Sequence, residues 1–421
     1  PTEGLLTVTA GAWTGCVLNG IPVLNNGIDP PFFWDLNLND PCEFLPGWPL
    51  GAYCQAIRAF KYHLFALNVF DGITNMPDTL WWSQGAAPGA IPQEWTPAPD
   101  NDAGDMTLAD SPGAIIDGMS LRDTFVVYKA FSTYMLSYVA GQYVFTQRKL
   151  FLTAGVQALN CVAELNGEHW VFTGKDVIRH DGQNFASVVQ DRIKNELVAS
   201  IDPLRIHTIC VTARHRDNQM WVCIPTQGSP WLNRAYIINV LTGDCGVMDL
   251  PLVSFVARGI VTEGVGSLSW DADDQPWDED ITSWDQQSYS PTEDSILISD
   301  ADDNKLWSHG LVDTADGQPM DAFIERQSLP INENINRALV TRVLPRLEGE
   351  SGEVIYIRVG GQAYFNQPIA WSPQLPFEIG NSVGVDCQVE GRLISVRFEA
   401  RTELAWRLHS YKMEVVDLGI F

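Results

Sequence analysis

The sequence predicts an all-β protein, in which a roughly six-bladed β-propeller-like domain is followed by a C-terminal antiparallel β module. Three observations lead to this prediction. Short apolar, β-branched or aromatic runs recur along most of the chain, and each ends at a turn rich in Gly, Asn or Asp. A helical spacing of apolar residues is confined to one segment, residues 185–201. The last hundred or so residues alternate apolar and polar side chains with a period of two, which is typical of half-buried strands.

The first third of the chain contains short predicted strands and one long predicted loop. Residues 1–49 give strands separated by Asn-Gly turns, and residues 56–70 form a predicted hairpin about Lys61 and Tyr62. Residues 71–105 then hold five prolines and three tryptophans. We expect this segment to be a long loop, and loops of this length usually carry interactions.

The stretch from 114 to 184 is the clearest run of predicted hairpins. Its turns include Asn166-Gly167, Gly174 and Asp181-Gly182, each between two apolar runs. The turn at Gly174 places His169 and His180 opposite each other on the two strands of one hairpin. We expect these histidines to be structural, because no carboxylate or Cys at ligand spacing accompanies them.

Residues 185–201 are the best helix candidate, with Asp202-Pro203 as the stop signal. Four short strands follow between residues 207 and 251, which is the strand count of one propeller blade. When the predicted strands are grouped into blades in this way, residues 7–311 contain about six blade-like units. We therefore predict a propeller-like domain at 1–315, with long loops at 71–105 and 264–294, and a β module at 316–421. In that module Ile394, Val396, Phe398 and Ala400 form the predicted buried face.

The charge is strongly negative and uneven. The formal net charge is −26, and residues 259–304 contain 13 Asp and Glu but no Lys or Arg. An acidic surface repels a DNA backbone, so tight nucleic-acid binding is disfavoured. The eight Cys form no C-x-x-C pair and most lie in strand-like runs, which favours buried free thiols over a disulfide framework and fits synthesis in a reducing cytoplasm.

Motifs that carry chemistry are missing from the sequence. It contains no G-x-S-x-G nucleophile elbow, no G-x-x-x-x-G-K-[ST] phosphate loop and no H-E-x-x-H. No run of about eighteen apolar residues suggests a membrane span. We expect no enzyme activity, no catalytic residues, no cofactor and no metal site.

One motif points to an interface. Trp270, Trp277 and Trp284 recur every seven residues in an acidic segment that is interrupted by Pro276. A core position would bury many carboxylates without a basic partner, which costs several kcal/mol each. Two interpretations remain open: the three rings contact an assembly partner, or the segment covers its own domain.

Several loose motifs resemble the β-propeller tail nozzle, or tail hub, proteins of short-tailed bacteriophages and related prophages. The resemblance covers most of the chain between about Gly51 and Val416. The motifs that carry it are Leu121-Arg122-Asp123 leading into Phe125-Val126-Val127-Tyr128, Ser132-Thr133-Tyr134, Arg148-Lys149-Leu150, Gly155, Asn160-Cys161, Phe172-Thr173-Gly174, Ile178, His180-Asp181-Gly182, Trp406-Arg407-Leu408 and Tyr411.

This resemblance implies a structural virion protein. Members of the family form a homohexameric ring below the head–tail adaptor protein, extend the portal channel, and let genomic double-stranded DNA pass at ejection. The implied partners are further copies of the chain, the adaptor, tail fibre or spike proteins and tail-tip proteins. The implied location is the phage tail, after synthesis in the host cytoplasm.

Two other classes of function stay open. A β-propeller protein could bind or degrade a host surface polysaccharide, with Trp platforms and acidic loops at its site. A monomeric binding scaffold is the third interpretation.

Overall fold

The chain divides into two compact units, Pro1–His309 and Gly310–Phe421. The computed structural model describes residues 13–37, 39–139, 144–189, 191–260, 294–303, 305–310, 313–331 and 336–419. Within these residues strands dominate, so the all-β prediction is confirmed. No helix in the described ranges has the length and apolar character that a bilayer crossing requires.

The first unit begins with three antiparallel sheets of four strands each. The first sheet contains β1 (Thr14–Leu18), β2 (Ile21–Asn25), β3 (Phe32–Phe33) and β4 (Glu43–Phe44). The second contains β5 (Tyr53–Phe60), β6 (His63–Phe70), β7 (Asn75–Trp82) and β8 (Gly104–Thr107). The third contains β9 (Ile115–Leu121), β10 (Thr124–Lys129), β11 (Thr133–Tyr138) and β12 (Phe145–Phe151).

Two further sheets complete the described part of this unit. The fourth contains β13 (Val162–Leu165), β14 (Glu168–Phe172), β15 (Val177–His180) and β16 (Phe185–Ser187). The fifth contains β17 (Cys210–Arg214), β18 (Gln219–Ile224), β19 (Leu232–Asn239), β20 (Cys245–Ile260), β21 (Asp294–Asp300) and β22 (Leu306–His309). In all five sheets the strands follow chain order, as in a meander.

The sheets are arranged as propeller blades are. The first strand of each sheet packs beside the first strand of the next, in the order β1, β5, β9, β13 and β17. Apolar clusters fill the spaces between neighbouring sheets; one of them combines residues of the third, fourth and fifth sheets. First strands around a common centre are the hallmark of a propeller-like architecture.

Strand β20 joins two parts of the fifth sheet. Residues 245–253 pair with β19 and residues 253–260 pair with β21, so the pairing changes partner at Val253. The sequence predicts about six blade-like units; the described residues form five sheets, the last of which divides at Val253 into a four-stranded and a three-stranded part that share β20.

Two local predictions need correction. The predicted helix at 185–201 is shorter: α1 spans Asp191–Ser200, because residues 185–187 pair with β15 as β16. The predicted loop at 71–105 contains strand β7 and the start of β8, and the irregular segment lies between these two strands. Pro77 is accommodated in β7 because it lies opposite the register shift between Leu67 and Val69, where the ladder is interrupted.

The second unit is a sandwich of two antiparallel sheets. The larger sheet contains β23 (Met320–Pro330), β25 (Val354–Gln362), β26 (Ala370–Trp371), β27 (Leu375–Glu378) and β29 (Leu393–Thr402). The smaller sheet contains β24 (Arg337–Glu348), β28 (Val385–Gly391) and β30 (Arg407–Gly419), with β24 in the middle. A single apolar core combines residues of both sheets and includes the predicted face Ile394, Val396, Phe398 and Ala400.

A buried ion pair lies where the first four sheets of the first unit meet. Arg58 on β5 contacts Asp117 on β9 through two parallel bonds, from Nε to Oδ1 at 2.9 Å and from Nη2 to Oδ2 at 3.0 Å. The Arg58 guanidinium also donates to the Gly15 carbonyl of β1 and to the side-chain oxygen of Asn160, just before β13. The Asn160 backbone N–H donates a hydrogen bond of 2.8 Å to Asp117. Four sheets therefore share one hydrogen-bond network.

We predict that Asp117→Asn lowers the free energy of unfolding by about 3–5 kcal/mol, because it leaves the Arg58 guanidinium buried without its counter-charge. The measurement is urea denaturation at neutral pH. Asp105→Asn on exposed strand β8 is the matched control and should change stability by less than about 0.5 kcal/mol. Equal stabilities for the two variants would show that the ion pair does not hold the sheets together.

Candidate functional site

The tryptophans predicted to form an assembly contact, Trp270, Trp277 and Trp284, lie outside the described residues. Their role stays a prediction. The described part of the chain offers three other places to look for chemistry: the buried titratable groups of the first unit, its thiols, and the surface of the second unit.

The two predicted histidines do meet, and a tyrosine joins them. His169 on β14 pairs directly with His180 on β15, as the sequence predicts. The Tyr128 hydroxyl from the neighbouring sheet lies 2.7 Å from His169 Nδ1 and 2.6 Å from His180 Nε2. His169 Nε2 lies 2.9 Å from the Ser120 carbonyl oxygen. All three side chains are buried, so the group is closed to solvent.

The hydrogen bonds fix both ring tautomers. His169 Nε2 carries a proton because its partner is a carbonyl, so its Nδ1 accepts from the Tyr128 hydroxyl. The Tyr128 oxygen then accepts from His180 Nε2, and His180 Nδ1 keeps a buried lone pair with no hydrogen-bond partner among the described residues. The imidazole lone pairs do not converge on a common point. Consistently, no three potential metal ligands come together in the described ranges.

Burial keeps both imidazoles neutral. Desolvation lowers the pKa of His169 to about 4, although the Ser120 bond and nearby Glu164 act in the opposite direction. Desolvation and the neighbouring His169 lower the pKa of His180 to about 3, against a small opposing effect of Asp181. Neither ring can supply a proton near neutral pH, which argues against a general-acid role.

The buried ammonium of Lys129 is also fully engaged. Its Nζ donates to the carbonyls of Leu108 and Ser111 at 2.7 and 2.6 Å, and it lies 3.0 Å from Asp78 Oδ1. Two hydrogen bonds and one ion pair thus hold the ammonium, and the side chain has no exposed surface. Lys129 therefore ties the second sheet to the third and is not accessible to a substrate.

Burial makes several of the thiols poor nucleophiles. All eight Cys are free, and five of them are buried. Burial raises the pKa of Cys16 to about 12 and the pKa values of Cys245 and Cys387 to about 11. Since the thiolate is the reactive form, these positions are protonated at neutral pH.

The second unit leaves some apolar side chains of a sheet edge exposed. Strand β23 forms one edge of the larger sheet, and the smaller sheet does not cover it. Ile324 points to the sandwich side, opposite Phe398, yet it is 47% exposed. Phe323 on the other side is 59% exposed and contacts the Arg397 guanidinium, 4.1 Å from the ring centroid. An edge strand with apolar side chains on both faces is a surface suited to pairing with another chain.

Sequence reasoning did not find this edge. The sequence places residues 320–330 in the period-two module and predicts that the exposed face of this module is polar. The signal that could have indicated the edge is the adjacent pair Phe323-Ile324, because neighbouring residues of a strand point to opposite faces. Apolar side chains on both faces of a strand mean that it is buried on both sides or is left partly uncovered.

We predict that acid destabilises the chain partly through the two histidines. Unfolded histidines bind protons near pH 6.5, whereas the folded rings do so only near pH 4 and 3. The unfolded state therefore holds more protons between about pH 6.5 and 3, and stability falls as pH decreases through that range. Urea unfolding at a series of pH values should show a shallower slope for His180→Gln, by up to about 1.4 kcal/mol per pH unit.

His207→Gln is the control, because it is the same substitution at an exposed histidine of the same unit. If His180→Gln keeps the wild-type slope, the buried pair does not control the acid response.

No protein-family model and no curated protein matches the chain. Among solved structures, YCF48 bound to D1 peptide is 10% identical, covers 55% of this chain and 66% of that chain, and has a TM-score of 0.31. A variant of the Synechocystis apocarotenoid oxygenase is 11% identical, with coverage of 69% and 66% and a TM-score of 0.34. The Bacteroides ovatus xyloglucan GH43B protein is 9% identical, with coverage of 98% and 99% and a TM-score of 0.29. The chain thus spans 66% of the first two structures, and likenesses of this size assign it to no family.

Proposed function

We propose that this protein is a structural component of a virion, the tail nozzle or hub ring of a short-tailed bacteriophage, and that it has no enzymatic activity. The observation that carries the proposal is the uncovered edge β23, on a subunit in which Arg58, Lys129 and Tyr128 make contacts that join neighbouring sheets. The buried polar groups of the first unit stabilise the fold, and the exposed edge strand β23 is apolar and extended. That combination suits a protein that works by assembling.

A ring requires a heterologous contact, in which one surface of a subunit binds a different surface of the next copy. The second unit has two long strands at sheet edges, β23 in the larger sheet and β30 in the smaller. On β30, Val416 and Leu418 are also exposed. We propose that β23 of one copy contacts the following copy, and that six copies close the ring.

The charge suits a conduit for DNA. A net charge of −26 per subunit becomes a strong repulsive field when several copies surround one channel. Repulsion keeps the DNA from adhering to the wall, so the genome can slide past. In this proposal the adaptor binds above the ring, fibre, spike and tail-tip proteins bind around and below it, and the protein resides in the phage tail.

The absence of enzymatic activity is part of the proposal. Among the described residues of the first unit, His169 and His180 are buried and neutral, Lys129 is buried and held by its partners, and burial keeps the Cys16 and Cys245 thiols protonated. Turnover of a host polysaccharide that is abolished by one carboxylate substitution would contradict the proposal.

The ring is tested by placing a charge on the edge strand. Ile324→Lys should weaken self-association at least tenfold, which corresponds to about 1.4 kcal/mol, because a lysine opposes strand pairing at an edge. The measurement is native mass by sedimentation and by electron microscopy of assembled particles. Circular dichroism should be unchanged, because Ile324 is half exposed in the single subunit.

The matched control is Ile73→Lys, a change of the same type at an 89% exposed position of the first unit. It should assemble as the wild type does. Assembly of Ile324→Lys at the wild-type level would exclude β23 as the contact. If the wild-type protein is monomeric both in solution and in assembled particles, the ring proposal is wrong.

A further inference from the structure

The second unit has an open groove of about 800 Å³ at the edge of the sandwich that lies opposite β23. In the larger sheet β23 forms one edge, and β26 and β27 form the other edge beyond β25. In the smaller sheet β28 forms the edge that packs against β25 and β27. The groove is lined by residues of β26, β27 and β28, so it marks the place where the two sheets separate at this side.

The larger sheet supplies apolar side chains that point into this groove. Leu375 of β27 is in register with Ile357, and Ala370 of β26 is in register with Gly361. Ile357 belongs to the sandwich core, and a Cβ added to Gly361 would meet the backbone of β28. Residues directly opposite each other on neighbouring strands share a face of the sheet, so Leu375 and Ala370 point toward the smaller sheet.

Strand β28 of the smaller sheet supplies the other side of the groove. Cys387 is buried in the sandwich core and Val389 packs against it, whereas Asp386, Gln388 and Glu390 alternate with them and point away from the core. Among the described strands β28 pairs only with β24, and β27 pairs only with β25. The groove is therefore an apolar opening between two strand edges.

The opposite edge β23 matches this opening on both of its faces. Ile324 points to the sandwich side, because it is in register with the core residue Phe398, and Phe323 points to the outer side. Trp371 of β26 also points to the outer side, because it is in register with Gly360, which lies between inward positions of β25. When β23 of a second copy lies beside β27, its Ile324 enters the groove and its Phe323 lies on the same side as Trp371.

We propose that the groove receives β23 of the neighbouring copy, which adds a strand to the open edge of the larger sheet. This inference rests on the proposed ring and names the second surface of its contact. Because β23 and the groove lie on opposite edges of the sandwich, the same contact can repeat from copy to copy. Strand β30 does not offer this, because it lies on the β23 side, where Tyr411 contacts Phe398 of β29. Contacts between β23 and β30 would therefore favour a two-fold dimer.

The groove is tested by placing a lysine in it. Ala370→Lys should weaken self-association by about tenfold or more, as Ile324→Lys on β23 should, because the ammonium lies where Ile324 of the neighbour packs. Ala370 is exposed in the single subunit, so circular dichroism should be unchanged. Ala405→Lys is the matched control, the same substitution at an exposed position of the same unit, and it should associate as the wild type does. The measurement is sedimentation velocity over a range of protein concentrations.

A mixture of the two variants distinguishes the groove from the ring contact in general. Ile324→Lys keeps an intact groove and Ala370→Lys keeps an intact β23, so an equimolar mixture should form a complex of two subunits and nothing larger. If Ala370→Lys associates as the wild type does while Ile324→Lys does not, or if the mixture stays monomeric, the groove is not the partner of β23, and the ring contact at β23 still stands. If both variants associate as the wild type does, the groove and the β23 contact are both wrong. A wild-type protein that is monomeric at every concentration also contradicts the groove contact.

Discussion

The buried ion pair between Arg58 and Asp117 is the contact on which the first unit depends. A guanidinium has five N–H donors in a fixed plane, so it can bind several partners at defined angles. Here it uses them on β5, on β1, on β9 and on Asn160 just before β13, where the four sheets approach each other. Apolar packing between blades has no preferred direction, whereas these bonds require one arrangement of the strands. The pair thus helps to specify how the sheets are placed around their common centre.

Buried polar contacts also join neighbouring sheets farther from that centre. Lys129 joins the second sheet to the third, and Tyr128 with His169 and His180 joins the third to the fourth. In each case a buried polar group from one sheet contacts polar groups of the next. Groups of this kind are often read as candidate catalytic residues, because catalysis uses Lys, His and Tyr. Here their burial and their contacts between sheets indicate a role in joining the sheets.

The second unit has the opposite character. Its core is mainly apolar and is formed by both sheets, and apolar side chains such as Phe323 and Ile324 remain at the surface. Because the smaller sheet has three strands, it leaves β23 uncovered and leaves a groove beside β28. The unequal width of two packed sheets therefore produces both surfaces. The edge β23 is apolar and extended, which suits another chain.

The sequence by itself determined the features that depend on near neighbours. Asn166 and Gly167 both adopt positive φ, as the predicted tight hairpin requires, and this turn sets the register of β13 and β14. The period of two in 394–400 identified a buried face, because strand geometry sends alternate side chains to the same side. Only the tertiary structure decided the contacts between distant residues. Arg58 and Asn160 are 102 residues apart, and no local pattern relates them. Likewise, Leu375 and Val389 line one groove because β27 and β28 belong to two different sheets of one sandwich, and sheet packing is set by the whole core and not by either strand.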